Sequence, residues 1–279
     1  MQNDLTQNNL ARNNIFQTAW EILNISSPDE KVEKTYYAIS KFADLSEEST
    51  FSNTSSPIQG LPIPGRPDKP ELVQPRELPR RKINSLEGRA TLLHAICHIE
   101  FNAINLAWDA VYRFRDMPVQ YYLDWMKIAK EEAEHFSLLN DYLVELGFAY
   151  GDFAAHNGLW EMAIETDHDV LVRMALVPRV LEARGLDVTP GIMNKFESVG
   201  DTRANEILTI IQREEIGHVD IGSRWFRYCC EQRGVDHDKT FRDLLMQYMN
   251  RGIKKPVNYG ARLKAGFTQQ ELDYLENNM

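Results

Sequence analysis

A chain of 279 residues with 41 acidic and 31 basic side chains carries a formal net charge of −10. That balance argues against a broad nucleic-acid-binding surface, and no run approaches the ~18 apolar residues that cross a bilayer. Three sparse cysteines, Cys97, Cys229 and Cys230, and a polar start without a signal-peptide core point to a reducing, cytoplasmic setting.

Residues 1–45 read as two modest helices. The first spans roughly 10–23. The second opens at Ser27-Pro28, an N-cap followed by proline at the first helical position. It carries Val32, Tyr36, Ile39 and Phe42 at helical spacing. From 46 to 84 the composition changes, and seven of the twelve prolines fall between Pro57 and Pro79. Such a stretch cannot be a helix or a central strand. Leu61, Ile63, Leu72, Val73 and Leu78 predict apolar anchors, hence an extended arm rather than a bare linker.

Helical periodicity resumes at Ser85 and runs to about Arg115. Its expected inner stripe is Leu92, Ile96, Ile99, Ala103, Leu106 and Ala110, with Glu100 beside it. A glutamate in such surroundings needs a partner, either a metal ion or an arginine, or else a raised pKa. His94 and His98 read as ordinary helix histidines. Arg115-Asp116-Met117-Pro118 predicts a turn, and the helix after it should run to Leu146 and stop at Gly147. Tyr142 on it reads as a packed side chain. The loop-like stretch 148–158 contains His156, a further ligand candidate. A third helix is expected from about Leu159 to Arg184, bent at Pro178 and interrupted by Gly185, Pro190 and Gly191, with a short helical piece from Ile192 to Ser198. After a turn at Gly200-Asp201, a fourth helix should reach Gln232. Another is expected from about Asp238 to Asn250, followed by an extended Lys254–Gly260. Thr268-Gln269-Gln270-Glu271 is a capping box that opens a last short helix.

Two stretches organise this pattern. One is Lys130-Glu131-Glu132-Ala133-Glu134-His135, the other Arg213-Glu214-Glu215-Ile216-Gly217-His218. On a helix, residues i and i+3 share a face, so Glu132 with His135, and Glu215 with His218, can each grip one metal ion. A single Glu-x-x-His is common on solvated helix faces. Here each copy has a lone glutamate a hairpin's length upstream: Glu100 before Glu132, and Glu182 before Glu215. The midpoints fall at Asp116 and at Ser198-Val199, both at expected turns, so each hairpin would bring Glu opposite Glu-x-x-His. That is the donor set of a carboxylate-bridged two-metal site in a four-helix bundle.

Gly158-Leu159-Trp160-Glu161-Met162-Ala163, Pro178 to Asp187, Glu215-Ile216-Gly217-His218-Val219 and Ala265-Gly266-Phe267 resemble the ferritin-like family known as domain of unknown function 455. The resemblance covers roughly residue 17 onward. In its ligand pattern the chain is also similar to the di-iron tRNA hydroxylases and other ferritin-like oxygenases. That similarity maps Glu100, Glu132 and His135 onto one half-site and Glu182, Glu215 and His218 onto the other.

The expected fold is therefore all-α: a ferritin-like four-helix bundle over 85–235, N-terminal helices and a proline-rich arm over 1–84 packed on it, and a C-terminal helical extension over 236–279. Four carboxylates and two imidazoles suit two iron ions, with manganese as the other fitting metal. The leading functional expectation is an oxygen-activating hydroxylase or oxidase whose partners are dioxygen and an organic substrate. An iron-handling ferroxidase or storage protein, and a structural metal site without turnover, are the alternatives. Met174, Val177, Leu181 and Leu186 are the expected lining of a substrate pocket beside Glu182. A homodimer is compatible with the sequence.

Overall fold

The computed structural model describes residues 15–45, 57–78, 82–249 and 254–277. The first residues of the expected N-terminal helix, the Ser/Thr-rich start of the arm, Arg80-Arg81 and Asn250 lie outside that set. The described residues are all-α apart from one isolated parallel bridge, Leu72 to Ala155. None of their helices is long and apolar enough to cross a membrane. The chain divides into two compact units, one made of 1–80 with 90–157, the other of 81–89 with 158–279.

In the first unit, α1 spans Ile15–Leu23 and α2 spans Pro28–Lys41. Ser27 caps α2 as its local sequence predicts, its Oγ accepting from the Glu30 N–H at 3.3 Å. The long hairpin consists of α3, Leu86–Arg113, whose first turn belongs to the other unit, and α4, Val119–Glu145. Tyr122 ties the turn between them. Its hydroxyl donates to the Phe114 carbonyl at 3.0 Å and accepts from the Met117 N–H at 3.2 Å. Gly147 ends the hairpin with a φ of +84°, a backbone position glycine adopts without strain. Ile99 departs from the expected stripe and is 42 % exposed, whereas Leu92, Ala103, Leu106 and Ala110 are buried.

The arm does lie on this unit. Gln59 N–H donates to the Tyr112 hydroxyl at 2.9 Å, Gly65 N–H to the Leu23 carbonyl at 2.7 Å and Val73 N–H to the Ala155 carbonyl at 2.9 Å. Of its expected anchors, Leu61, Leu72, Val73 and Leu78 are half-buried and only Ile63 is exposed. Ile63 is 63 % exposed, while Pro64 and Pro70 are buried. Backbone hydrogen bonds, invisible in an apolar pattern, seat the arm as well.

The second unit holds α5, Gly158–Glu165; α6, Val170–Leu176; a π-helical turn, Val177–Glu182; α7, Ala183–Ser198; and α8, Thr202–Arg233. The third expected helix is thus broken, but not where its glycines suggested. The interruption comes at 166–169, where Asp169 caps α6 by accepting from the Leu171 N–H at 2.8 Å. Buried Arg173 donates to Thr166 Oγ1 at 2.7 Å across the gap. Beyond Pro178 the helix widens by a residue and then runs unbroken through Gly185, Pro190 and Gly191. Proline 190 lacks the N–H that would bond the Leu186 carbonyl. That carbonyl is satisfied from outside the helix, by Asn258 Nδ2 at 3.1 Å and Gln212 Nε2 at 3.5 Å, so the helix survives the proline.

Asp201 caps α8 through the Ala204 N–H at 3.1 Å, and Gly234 ends it at φ +63°. Then follow α9, His237–Tyr248; α10, Tyr259–Lys264; and α11, Gln269–Asn277. The segment expected to be extended to Gly260 turns helical at Tyr259. Thr268 and Glu271 form the predicted capping box, with reciprocal hydrogen bonds at 3.1 and 2.9 Å. Glu271 also pairs with fully buried Arg179 at 2.6 Å, and the Arg179 guanidinium stacks among Phe226, Phe241 and Phe267 at 4.1–4.7 Å. A buried charge without such a partner would be strongly destabilising.

Candidate metal centre

Glu100 on α3 faces Glu132 and His135 on α4. Each of the three offers a donor atom, and these atoms lie within 4.8 Å of one another. His135 Nδ1 is 3.5 Å from Glu100 Oε2 and 3.4 Å from Glu132 Oε2. The hairpin register read from the sequence is therefore the one adopted. Glu100 is 4 % exposed, and Glu132 and His135 are fully buried. The neighbouring acids face elsewhere. Glu131 pairs with Lys127 at 2.8 Å on the surface side of α4, and Glu134 is exposed.

Burying two carboxylates side by side is costly. Burial, and then the Glu132 charge, push the Glu100 carboxyl well above its ordinary range. Burial alone would lower His135, but hydrogen bonds and charge from Glu100 and Glu132 outweigh it and hold the imidazole well above its usual value. Without metal, protons must offset the charge of this group. A divalent cation does so better, because it meets two oxygens and a nitrogen at once. The donor chemistry fits a divalent metal such as iron or manganese, and Glu100, Glu132 and His135 form a buried group able to hold one.

In the second unit, Glu215 and His218 stand on one face of α8, with His218 Nδ1 3.3 Å from Glu215 Oε1. His218 is fully buried and Glu215 nearly so. Glu214 turns to Arg213 at 2.6 Å. Glu182, 9 % exposed, is the last residue of the π turn. Two crossings bracket its level. Gly222 of α8 packs directly under the Pro178 ring, and Gln212 reaches the Leu186 carbonyl. The segment from Pro178 to Leu186, which carries Glu182, thus runs along the stretch of α8 from Gln212 to Gly222. Met174, Val177 and Leu186 are buried and Leu181 is half-buried.

A polar network on the Glu100 helix was not legible in the sequence. His98 Nδ1 meets the Tyr150 hydroxyl at 2.9 Å, and its Nε2 lies 3.2 Å from the His156 carbonyl. Nε2 also lies 3.1 Å from Asn102 Nδ2, a donor, so the ring's tautomer sets whether Nε2 donates to the carbonyl or accepts from Asn102. Burial, reinforced by His94, lowers His98 to about 4, and burial raises Tyr150. His94 Nε2 accepts from the Gly151 N–H at 2.9 Å. His156 enters through its backbone, and both helix histidines fasten the 148–157 connection to α3. Tyr142 is packed. Only the crossing loop, 52 to 58 residues away, distinguishes these histidines from surface ones.

An all-α chain whose longest helices carry a buried Glu/His group able to hold a divalent metal is a metal-binding helical protein. Residues 24–273 match the family model of proteins of unknown function, DUF455, and the chain belongs to that family. It is similar to an uncharacterized protein of Haemophilus influenzae, 51 % identical over 216 residues that cover 75 % of each chain. No solved structure matches it.

Proposed function

We propose that Glu100, Glu132, His135, Glu182, Glu215 and His218 are the ligands of one dinuclear centre in a ferritin-like four-helix bundle, and that the protein is a dioxygen-dependent hydroxylase or oxidase acting on an organic substrate. The observation that carries this reading is the buried Glu100–His135–Glu132 group, which is electrostatically unfavourable without a cation. The similar Glu215–His218 pair, with Glu182 on the segment that runs along the same stretch of α8, supports a second half-site.

Two iron ions, or manganese ions, bound there would supply oxidation by dioxygen. The chain's own contribution is to place the donors, exclude water and hold neutral or protonated side chains where charge must balance. On this reading the π turn lets Glu182 move between binding modes, because a widened turn has a backbone hydrogen-bond pattern that can shift. Met174, Val177, Leu181 and Leu186 would then form the apolar side of substrate access.

The test is metal analysis of protein purified without added metal, followed by oxygen consumption after reduction. About two metal ions per chain, and uptake of dioxygen, are expected. A metal-replete protein inert to dioxygen would leave only a structural site. A large shell that accumulates many ferric ions per chain would point to storage.

A further inference from the structure

Away from the proposed ligands, the first unit contains a cleft of about 440 Å³ between the α1–α2 turn and the proline-rich arm. Asn24 and Ser26 line one side, and the arm from Ile63 to Asp68 lines the other. Its volume lies in the range of small-molecule sites, and its lining is mostly polar. The walls are stiff. Pro64 and Pro67 fix their backbone torsions, and the Gly65 N–H is bonded to the Leu23 carbonyl at 2.7 Å. A side chain at Gly65 would strike the backbone of Asn24 and Ile25. The arm is therefore pinned at one point and stands off the turn beside it, which makes the cleft.

Arg66 lines this cleft half-buried. Its guanidinium makes no hydrogen bond or ion pair with any described residue, unlike the buried arginines of this chain. Arg113 pairs with Asp109, Arg179 with Glu271 and Arg262 with Asp187. Asp68 lines the same cleft only two residues on, and yet the two are unpaired. Arg66 on one wall carries a planar fork of donors and Ser26 on the other a hydroxyl donor, the donor chemistry that suits an oxyanion.

We propose that this cleft binds a small organic anion, its carboxylate seated on Arg66 and reached by Ser26. The Asp68 carboxylate at the rim disfavours a second negative charge, so a monoanionic carboxylate binds in preference to phosphate. The site is independent of the proposed metal centre.

The experiment titrates acetate and, separately, inorganic phosphate into the full-length protein, following the backbone amides of Ser26, Gly65 and Arg66 in nitrogen–proton correlation spectra. Saturable shifts with acetate in the millimolar range are expected, weakened about tenfold or more in Arg66→Gln. Arg66→Lys should retain part of the affinity, and the exposed control Arg203→Gln all of it. Asp68→Asn should tighten phosphate. Unchanged melting temperatures separate these effects from misfolding. Absence of saturable shifts with either anion would overturn the proposal, as would equal affinity in Arg66→Gln. Binding that ignores Arg66 but disappears in Glu132→Ala would place the anion at the metal centre, and this site would be rejected.

Discussion

Replacing Gly222 with alanine tests a close approach between α8 and the π turn in the second unit. An added Cβ on α8 would come closer than 3.0 Å to both Cβ and Cγ of Pro178. Carbon atoms prefer separations of about 3.5–4.0 Å, and a proline ring on a backbone turn cannot swing aside as a long side chain can. Either α8 or the π turn must move. Two terms oppose each other. Alanine in a helix interior is favoured over glycine by about 1 kcal/mol, whereas overpacking a tight contact costs about 1–3 kcal/mol. The clash should win, leaving Gly222→Ala destabilised by about 1–2 kcal/mol, or roughly 2–8 °C in melting temperature for a chain of this size. Gly185→Ala on α7 is the matched control. Its new Cβ meets nothing within 4 Å, so it should gain about 0.5–1 kcal/mol. Thermal melts of both variants by circular dichroism decide the matter. If Gly222→Ala stabilises as much as Gly185→Ala, the packing of Pro178 on α8 described here is wrong. Because Glu182 ends the same π turn, Gly222→Ala should also lower metal occupancy while Gly185→Ala leaves it intact.

Metal content of Glu132→Ala and His218→Ala should fall sharply, while Glu131→Ala and Glu214→Ala, whose side chains face Lys127 and Arg213, should retain it; equal loss within a doublet would refute the register. Lys31 is buried, with Nζ donating to the Ile22 carbonyl and Asn105 Oδ1 at 2.7 Å each, and burial lowers its pKa to about 7. Between pH 7 and its ordinary 10.5 the unfolded chain holds this proton and the folded chain does not, so this group makes stability rise with pH across that window. Denaturant melts of wild type and Lys31→Met should show that rise only in the former, with the variant about 1–3 kcal/mol less stable from the orphaned acceptors. Arg184 donates to the carbonyls of Lys254, Lys255 and Pro256 at 2.6–3.0 Å, so Arg184→Ala should speed hydrogen exchange at Lys254 and Lys255 without altering exchange in the interior of α8.

Much of the local architecture is written in neighbouring residues. Ser27-Pro28, Gly147, Asp201 and the Thr268–Glu271 box bound helices where the sequence says they should, because a cap needs only partners within three or four positions. Glu-x-x-His works the same way, since a helix puts i and i+3 on one face whatever surrounds it. Even the hairpin register of Glu100 against Glu132 and His135 follows from counting back to one turn. The tertiary structure alone decided the rest. Pro190 reads as a breaker, yet it lies inside α7 because Asn258, 72 residues from Leu186, supplies the hydrogen bond that proline removes. Ile63 and Ile99 read as core and face outward, since the arm is held by backbone bonds and α3 is turned by what packs on it. His98 with Tyr150, and Arg179 among three rings, acquire their character from partners tens of residues distant. Helix periodicity reports which residues share a face, but the free energy of a buried charge depends on what another element brings to it, and no local pattern encodes that partner.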